Sequence, residues 1–350
     1  MAIQVLDIMT LVLPLFIILI GCELFTNGIE WLGVKLGLAE SATGSVLAAV
    51  GTALPETVVP IIAIVSISAT NAGSEIAKGA ILGAPFMLAT LAMLVGGISI
   101  LVAHKKGRRP ATLKVSEEHV SLDIKSFLFA YSFAVIASIF LQGPNGAAPI
   151  LRYLIAIFLF ILYAVYVRKM IRQDSKKCDE PGSLYFTRVF SERRKKAPST
   201  PAVLVQVGAS LGMIIIGAKI FVGGIETVSA GVGISTIIIA FLIAPIATEL
   251  PEKFNSVLWY WRGKDTLALG NITGAMVFQS SIPVSIGLMF TNWTIGWINI
   301  VSMFFAIAAI LLIYLEMRTY KVLSYKSLML SGAFYIAYLV LVILYPPPFA

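Results

Sequence analysis

Two short stretches of this chain carry most of its chemistry. Gly51-Thr52-Ala53-Leu54-Pro55-Glu56 and Ala247-Thr248-Glu249-Leu250-Pro251-Glu252 share a Thr-x-x-Pro-Glu core, each near the middle of an apolar segment long enough to cross a bilayer. A carboxylate at that depth costs about 2.5–3.5 kcal/mol on insertion scales. Two of them, each directly after a helix-breaking proline, point to a functional site more than to packing. Proline has no backbone N–H and crowds the carbonyl four residues earlier. Pro55 therefore frees the carbonyl of Gly51, and Pro251 that of Ala247. Thr52 and Glu56 stand four apart and share a helix face, as do Thr248 and Glu252. Hydroxyl, carbonyl and carboxylate oxygens from two such places could form a cage for a hard cation. Calcium takes about 6–8 oxygens, and sodium accepts similar ligands with less charge.

Other charges need two readings each. Glu249 and Lys253 are four apart and can pair on one helix face. In one reading Lys253 fills space or charge that a cation would take, or Glu249 or Glu252 carries a proton; in the other the ion pair only holds the helix. Glu23 and Lys219 occupy equivalent positions and form either an electrostatic gate or separate contacts with other polar groups. Glu30 and Glu226 line an access path or sit solvated at the interface. Asn271 is a cation ligand or an interhelical hydrogen bonder. Glu75 and Asp265 fall at expected helix starts, where acidic residues suit the helix dipole. His104 and His119 show no metal-ligand spacing, and Cys22 and Cys178 imply no disulfide framework. No nucleophile–base set or nucleotide motif is present, so an enzyme and a resident cofactor are not expected.

The elements that must position these residues are membrane spans. Of 350 residues, 58% are hydrophobic and 13% charged, and the mean hydropathy is +0.92; soluble domains carry about 25% charged residues. Ten spans are expected, near 8–36, 42–68, 75–103, 124–142, 149–171, 201–230, 235–260, 265–290, 294–315 and 325–345. The opening Met1–Thr10 has no basic stretch and reads as leading into the first span, not as a cleaved signal. The loops after the odd-numbered spans, with their flanks, hold 22 of the 26 Lys and Arg residues, all but Lys78, Arg152, Lys219 and Lys253. That side is expected in the cytoplasm, with both termini outside. The net charge of +8 is thereby a topology signal, and nucleic-acid binding is not implied.

The chain also repeats itself. Gly21–Glu56 aligns with Gly217–Glu252 at a constant offset of 196, matching Phe25 with Phe221, Gly28 with Gly224 and Gly37 with Gly233. Beyond a connector five residues shorter, Gly79 and Gly83 match Gly270 and Gly274. Five spans per half make the second half enter from the opposite side. Inverted repeats of this kind place substrate sites near the midplane, at broken helices.

With GTALPE, ATELPE and the glycine-spaced third and eighth spans in place, the chain resembles the cation/calcium exchanger superfamily over nearly its whole length. The resemblance implies ten helices in two inverted five-helix repeats, with Glu56 and Glu252 as central cation ligands. It also implies oxygens from Thr52 and Thr248, and first and sixth helices that slide during alternating access. Two departures stand out. The family's Ser after the Thr is here Ala53 and Glu249. Its Gly-Asn-x-x-Gly-Ser-Asn is here Gly79-Ala80-Ile81-Leu82-Gly83-Ala84-Pro85 and Gly270-Asn271-Ile272-Thr273-Gly274-Ala275-Met276.

The expected protein is an all-α polytopic membrane protein with repeats at 1–171 and 200–350, joined by a basic cytoplasmic linker at 172–199. Its expected role is a secondary cation antiporter of the plasma membrane, exchanging calcium against sodium or protons. Thr52, Glu56, Thr248, Glu249, Glu252 and Asn271 are the candidate ligands. Its partners are the transported cations and the lipid bilayer. The alternative is a scaffold or sensor that retains the exchanger fold without transport.

Overall fold

The computed structural model describes residues 5–35, 53, 55–66, 71–142, 148–173, 183–186, 198–233, 236–261 and 263–345. Gly51 and Thr52, expected at the site, lie outside these residues.

The chain is helical. The first half has α1 (Val5–Lys35), α2 (Pro55–Ser66), α3 (Asn71–Met87), α4 (Met93–Lys105), α5 (Glu117–Phe140) and α6 (Ala148–Gln173). The second has α7 (Thr200–Val232), α8 (Thr236–Thr248), α9 (Leu250–Trp261), α10 (Asp265–Phe290), α11 (Trp297–Tyr320) and α12 (Tyr325–Leu344). Among the described residues, eight helices are long and apolar enough to cross a membrane, and Pro55–Val65 and Thr236–Pro245 are shorter apolar helices. At ~1.5 Å per residue, α1 with 31 residues and α7 with 33 exceed the ~30 Å hydrocarbon core.

Local sequence explains several boundaries. Gly233 closes α7 at φ +70° and donates its N–H to Ser229 O at 3.0 Å. Glycine takes that left-handed cap without a side-chain penalty. α5 starts at Glu117, several residues before its expected limit, and Glu117 and Glu118 fill its first turn. α3 and α4 form one span, Ala72–Lys105, joined by a π-helical turn at Leu88–Ala92.

Two packed pairs frame the middle. α1 runs along α7, and α3 along α8. A Cβ on Gly21 would sit 2.9 Å from Ile214 Cγ1, and one on Gly217 would sit 2.8 Å from Ile18 Cγ1. Both relations join residues that the offset of 196 exchanges, Gly21 with Gly217 and Ile18 with Ile214. A Cβ on Gly79 would press on Ala240 Cβ at 2.8 Å, and one on Gly83 on Pro245 Cγ at 2.9 Å. Small residues here let the two backbones meet, as is usual between membrane helices. α10 packs on α5 and α6, and α12 on α4.

Two polar clasps hold the starts of α3 and α10. The buried Lys78 ammonium meets Glu75 Oε1 at 2.5 Å, Asn292 Oδ1 at 3.1 Å and Thr294 O at 2.8 Å, so the loop after α10 fastens α3. At the other clasp, Arg109 Nη1 and Nη2 donate to Asp265 Oδ1 and Oδ2 at 2.7 and 2.9 Å. Arg109 also reaches Tyr260 O at 2.5 Å, and the Lys114 N–H donates to Asp265 Oδ2 at 2.7 Å. The expected dipole role holds for Asp265, which lies in the first turn of α10. It fails for Glu75: α3 begins at Asn71, the first turn carries no acid, and the carboxylate goes to Lys78. An antiparallel pair, β1 (Thr112–Leu113) with β2 (Leu323–Ser324), ties the loop before α5 to the start of α12.

Candidate cation site

The seventh expected span is jointed at Glu249. α8 ends at Thr248, α9 begins at Leu250, and Glu249 stands between them. Backbone bonding continues through the joint, with Glu249 N to Pro245 O at 3.1 Å and Lys253 N to Glu249 O at 3.0 Å. Pro251 has no N–H to return to Ala247, so the ladder is loosened there without being unwound. In the first half, α2 opens at Pro55, which puts Glu56 in its first turn.

Glu56, Thr248, Glu249 and Glu252 are all buried, at 3%, 2%, 0% and 0% exposure. Glu56 lies within electrostatic reach of Glu252 and Glu249, so carboxylates from α2 and from the α8–α9 joint share one region. Among the described residues neither Glu56 oxygen makes a hydrogen bond of good geometry. Thr248 lies close to Glu56, but its hydroxyl donates to Ala244 O at 3.0 Å. The buried Gln279 of α10 turns its amide toward Glu249. Neither its nitrogen nor its oxygen makes a hydrogen bond of good geometry among the described residues. Cys22 of α1 is buried within electrostatic reach of Glu56 and Glu252. Buried carboxylate oxygens without well-placed donors suit a cation, which needs acceptors only. Among the described residues, no three His, Cys, Asp or Glu side chains are drawn together closely enough to hold a metal ion.

The charged pair expected from its spacing is formed. Lys253 Nζ lies 2.9 Å from Glu249 Oε2 and 3.3 Å from Pro245 O, with 9% of the lysine side chain and none of the glutamate exposed.

A model of the family described as "Sodium/calcium exchanger protein" matches residues 6–171 and 202–344. The chain belongs to this family. An uncharacterised membrane protein of Methanocaldococcus jannaschii is 22% identical over 326 residues, covering 93% of this chain and 94% of its own. The H+/Ca2+ exchanger CAX shares the fold with a TM-score of 0.76 at 14% identity, over 97% of this chain and 82% of its own. The sodium-calcium exchanger NCX_Mj aligns with a TM-score of 0.60 at 21% identity, over 96% of this chain and 98% of its own. Family membership makes the protein a membrane cation antiporter and not an enzyme; its cations are cargo, and no resident cofactor is needed.

The remaining expected residues of the exchanger divide clearly. Asn271 of α10 donates from Nδ2 to Glu252 O at 3.2 Å and to Ser256 Oγ at 3.1 Å, which binds α10 to α9 beside the site. Glu23 accepts from Tyr185 Oη at 2.8 Å and forms no ion pair with the exposed Lys219 among the described residues. Tyr185 belongs to the expected linker; its N–H meets Asn27 Oδ1 at 3.2 Å, and the N–H of Phe186 meets Gln206 Oε1 at 3.0 Å. Glu226 is partly buried, and the side chain of Glu30 lies outside the description. Gln279 and Cys22 escaped sequence reasoning, since neither stands in a repeated polar motif.

Proposed function

We propose that the exchanger moves calcium against sodium or protons by alternating access, through a site centred on Glu56 and Glu252. The observation that carries this reading is the shared burial of the two carboxylates, one from each expected half and within electrostatic reach of each other. Two carboxylates can be neutralised by one divalent cation, by two monovalent cations or by protons, and these loadings exclude one another. Exclusive loading is what couples one flux to another. Thr248 and Asn271 border the carboxylates, Glu249 flanks them, and Thr52 completes the ligand set by its repeat relation to Thr248.

The architecture that goes with this reading is ten spans in two inverted repeats, 1–171 and 200–350, around the linker 172–199. The reciprocal contacts Gly21 to Ile214 and Gly217 to Ile18 support a two-fold relation between α1 and α7. The names of CAX and NCX_Mj, a proton and a sodium coupled exchanger, support the pair of coupling ions considered. The basic excess on one side supports a plasma-membrane orientation with the linker in the cytoplasm and both termini outside.

The test is calcium flux into proteoliposomes of purified protein under an imposed sodium gradient and, separately, a pH gradient. Flux under one gradient identifies the coupling ion, and the doubly substituted Glu56→Gln/Glu252→Gln protein is expected to lose it. Undiminished exchange by that variant overturns the site. Wild-type silence under both gradients, with other cations also tried, returns the scaffold reading.

A further inference from the structure

The two halves differ at one pair of positions beside the site. Where the second half has Glu249 and Lys253, the offset of 196 gives Ala53 and Thr57 in the first. Thr57 Oγ1 lies 3.4 Å from Ala53 O, a neutral contact. The acid and the base are thus both present in one half and both absent from the other, so each half brings a formal charge of −1. Glu56 supplies it in the first half, and Glu252 supplies it in the second once Glu249 and Lys253 cancel.

The surroundings of the ammonium resemble those of a bound cation. Lys253 Nζ takes one carboxylate oxygen, Glu249 Oε2 at 2.9 Å, and one backbone carbonyl, Pro245 O at 3.3 Å. That carbonyl also accepts the Glu249 N–H at 3.1 Å, so the ammonium shares it with the backbone of the α8–α9 joint. The pair is buried, and removing either partner would leave a lone charge at membrane depth. The fully buried Gln279 adjoins Glu249 from α10, and the buried Glu56 lies within electrostatic reach of both Glu249 and Glu252.

We propose that the Lys253 ammonium is a tethered cation: it holds beside Glu249 a place that one more monovalent driving ion would otherwise occupy on the return leg, and leaves Glu56 and Glu252 as the pair that one divalent cation neutralises. This rests on the antiport reading and deepens it. Lys253 is then a stoichiometry-determining residue. It lowers by one the number of monovalent ions that the empty site must collect.

The test compares wild type, Lys253→Met and Glu249→Gln/Lys253→Met in proteoliposomes, with radioactive calcium and the driving ion found for the wild type. The voltage at which net calcium flux vanishes gives the charge moved per calcium, and the flux against driving-ion concentration gives its cooperativity. Lys253→Met is expected to take up one further monovalent ion per cycle, shifting that voltage and raising the Hill coefficient by about one. The double variant is expected to return both to wild-type values. An unchanged voltage and Hill coefficient in Lys253→Met, at measurable flux, overturns the inference and makes the pair a structural tie. Should Lys253→Met fail to fold, the double variant decides: a changed voltage overturns the proposal. Glu249→Gln gives a second reading, since it leaves the ammonium uncompensated and is expected to weaken calcium binding at least tenfold while Lys253→Arg keeps it. A wild type without divalent flux overturns the antiport reading itself, whereas an exchanging wild type with invariant stoichiometry overturns only the tethered cation.

Discussion

The first half sets Ala53, Glu56 and Thr57 at and just before the start of α2; 196 residues on, the second sets Glu249, Glu252 and Lys253 at the α8–α9 joint. Glu56 and Glu252 match and are both buried. The flanking positions differ in chemistry but not in net charge: a neutral pair on one side, an ion pair at 2.9 Å on the other. The lesson concerns how charge enters a low-dielectric site. A single buried charge is costly, whereas an acid and a base acquired together are tolerable. The formal charge that each half contributes here is then the same while the side chains differ.

The comparison can be broken by moving the pair. Thr57→Lys alone would place an uncompensated ammonium in the first half and is expected to cost about 3–5 kcal/mol. It would be read as loss of monodisperse protein in detergent on heating. Ala53→Glu/Thr57→Lys should recover most of that loss, and a double variant as unstable as the single one would show that pairing is not what admits Lys253. A smaller effect sharpens the equivalence of the matched acids. Glu56→Gln and Glu252→Gln are each expected to slow exchange at least tenfold, about 1.4 kcal/mol in barrier terms. Equal losses in the flux assay would confirm that the halves contribute alike, and a large inequality would assign the cargo to one of them. The smallest effect belongs to the neutral pair. Thr57→Val removes only a long hydroxyl contact and is expected to cost about 1 kcal/mol or less, with exchange within about twofold of wild type.

The parts of this molecule that sequence made legible are those written locally. The Glu249–Lys253 pair follows from a spacing of four, and the α8–α9 joint from proline chemistry. The apolar spans follow from hydropathy, and their limits shift by several residues, as at the early starts Glu117 and Asn71 and the late end Tyr320. The two clasps were hidden because their partners lie far apart in the chain, 214 residues for Lys78 with Asn292 and 156 for Arg109 with Asp265. Arg109 counted only as one more basic residue on one side, yet it is the buried centre of a five-bond network. Tyr185 looked like linker, and its contact with Glu23 spans 162 residues. For Gln279 the sequence offers no pattern: a single amide in an apolar helix gains meaning only from what it faces.

The π turn at Leu88–Ala92 gives the long third span a second property. An α-helix advances ~100° per residue, and a single π turn inserts an extra step of rotation without ending the helix. Before the turn, Gly79 and Gly83 address α8; after it, Gly96 addresses the Tyr260 ring of α9 and Gly97 the Met329 side chain of α12. The span works like a shaft with a keyed coupling in its middle. Its two glycine pairs are set in phase by five residues of otherwise ordinary composition, Leu-Ala-Thr-Leu-Ala. Deleting one of them would hardly alter hydropathy or length. It would nonetheless turn one end of the shaft against the other and present bulk where two neighbouring helices need a gap.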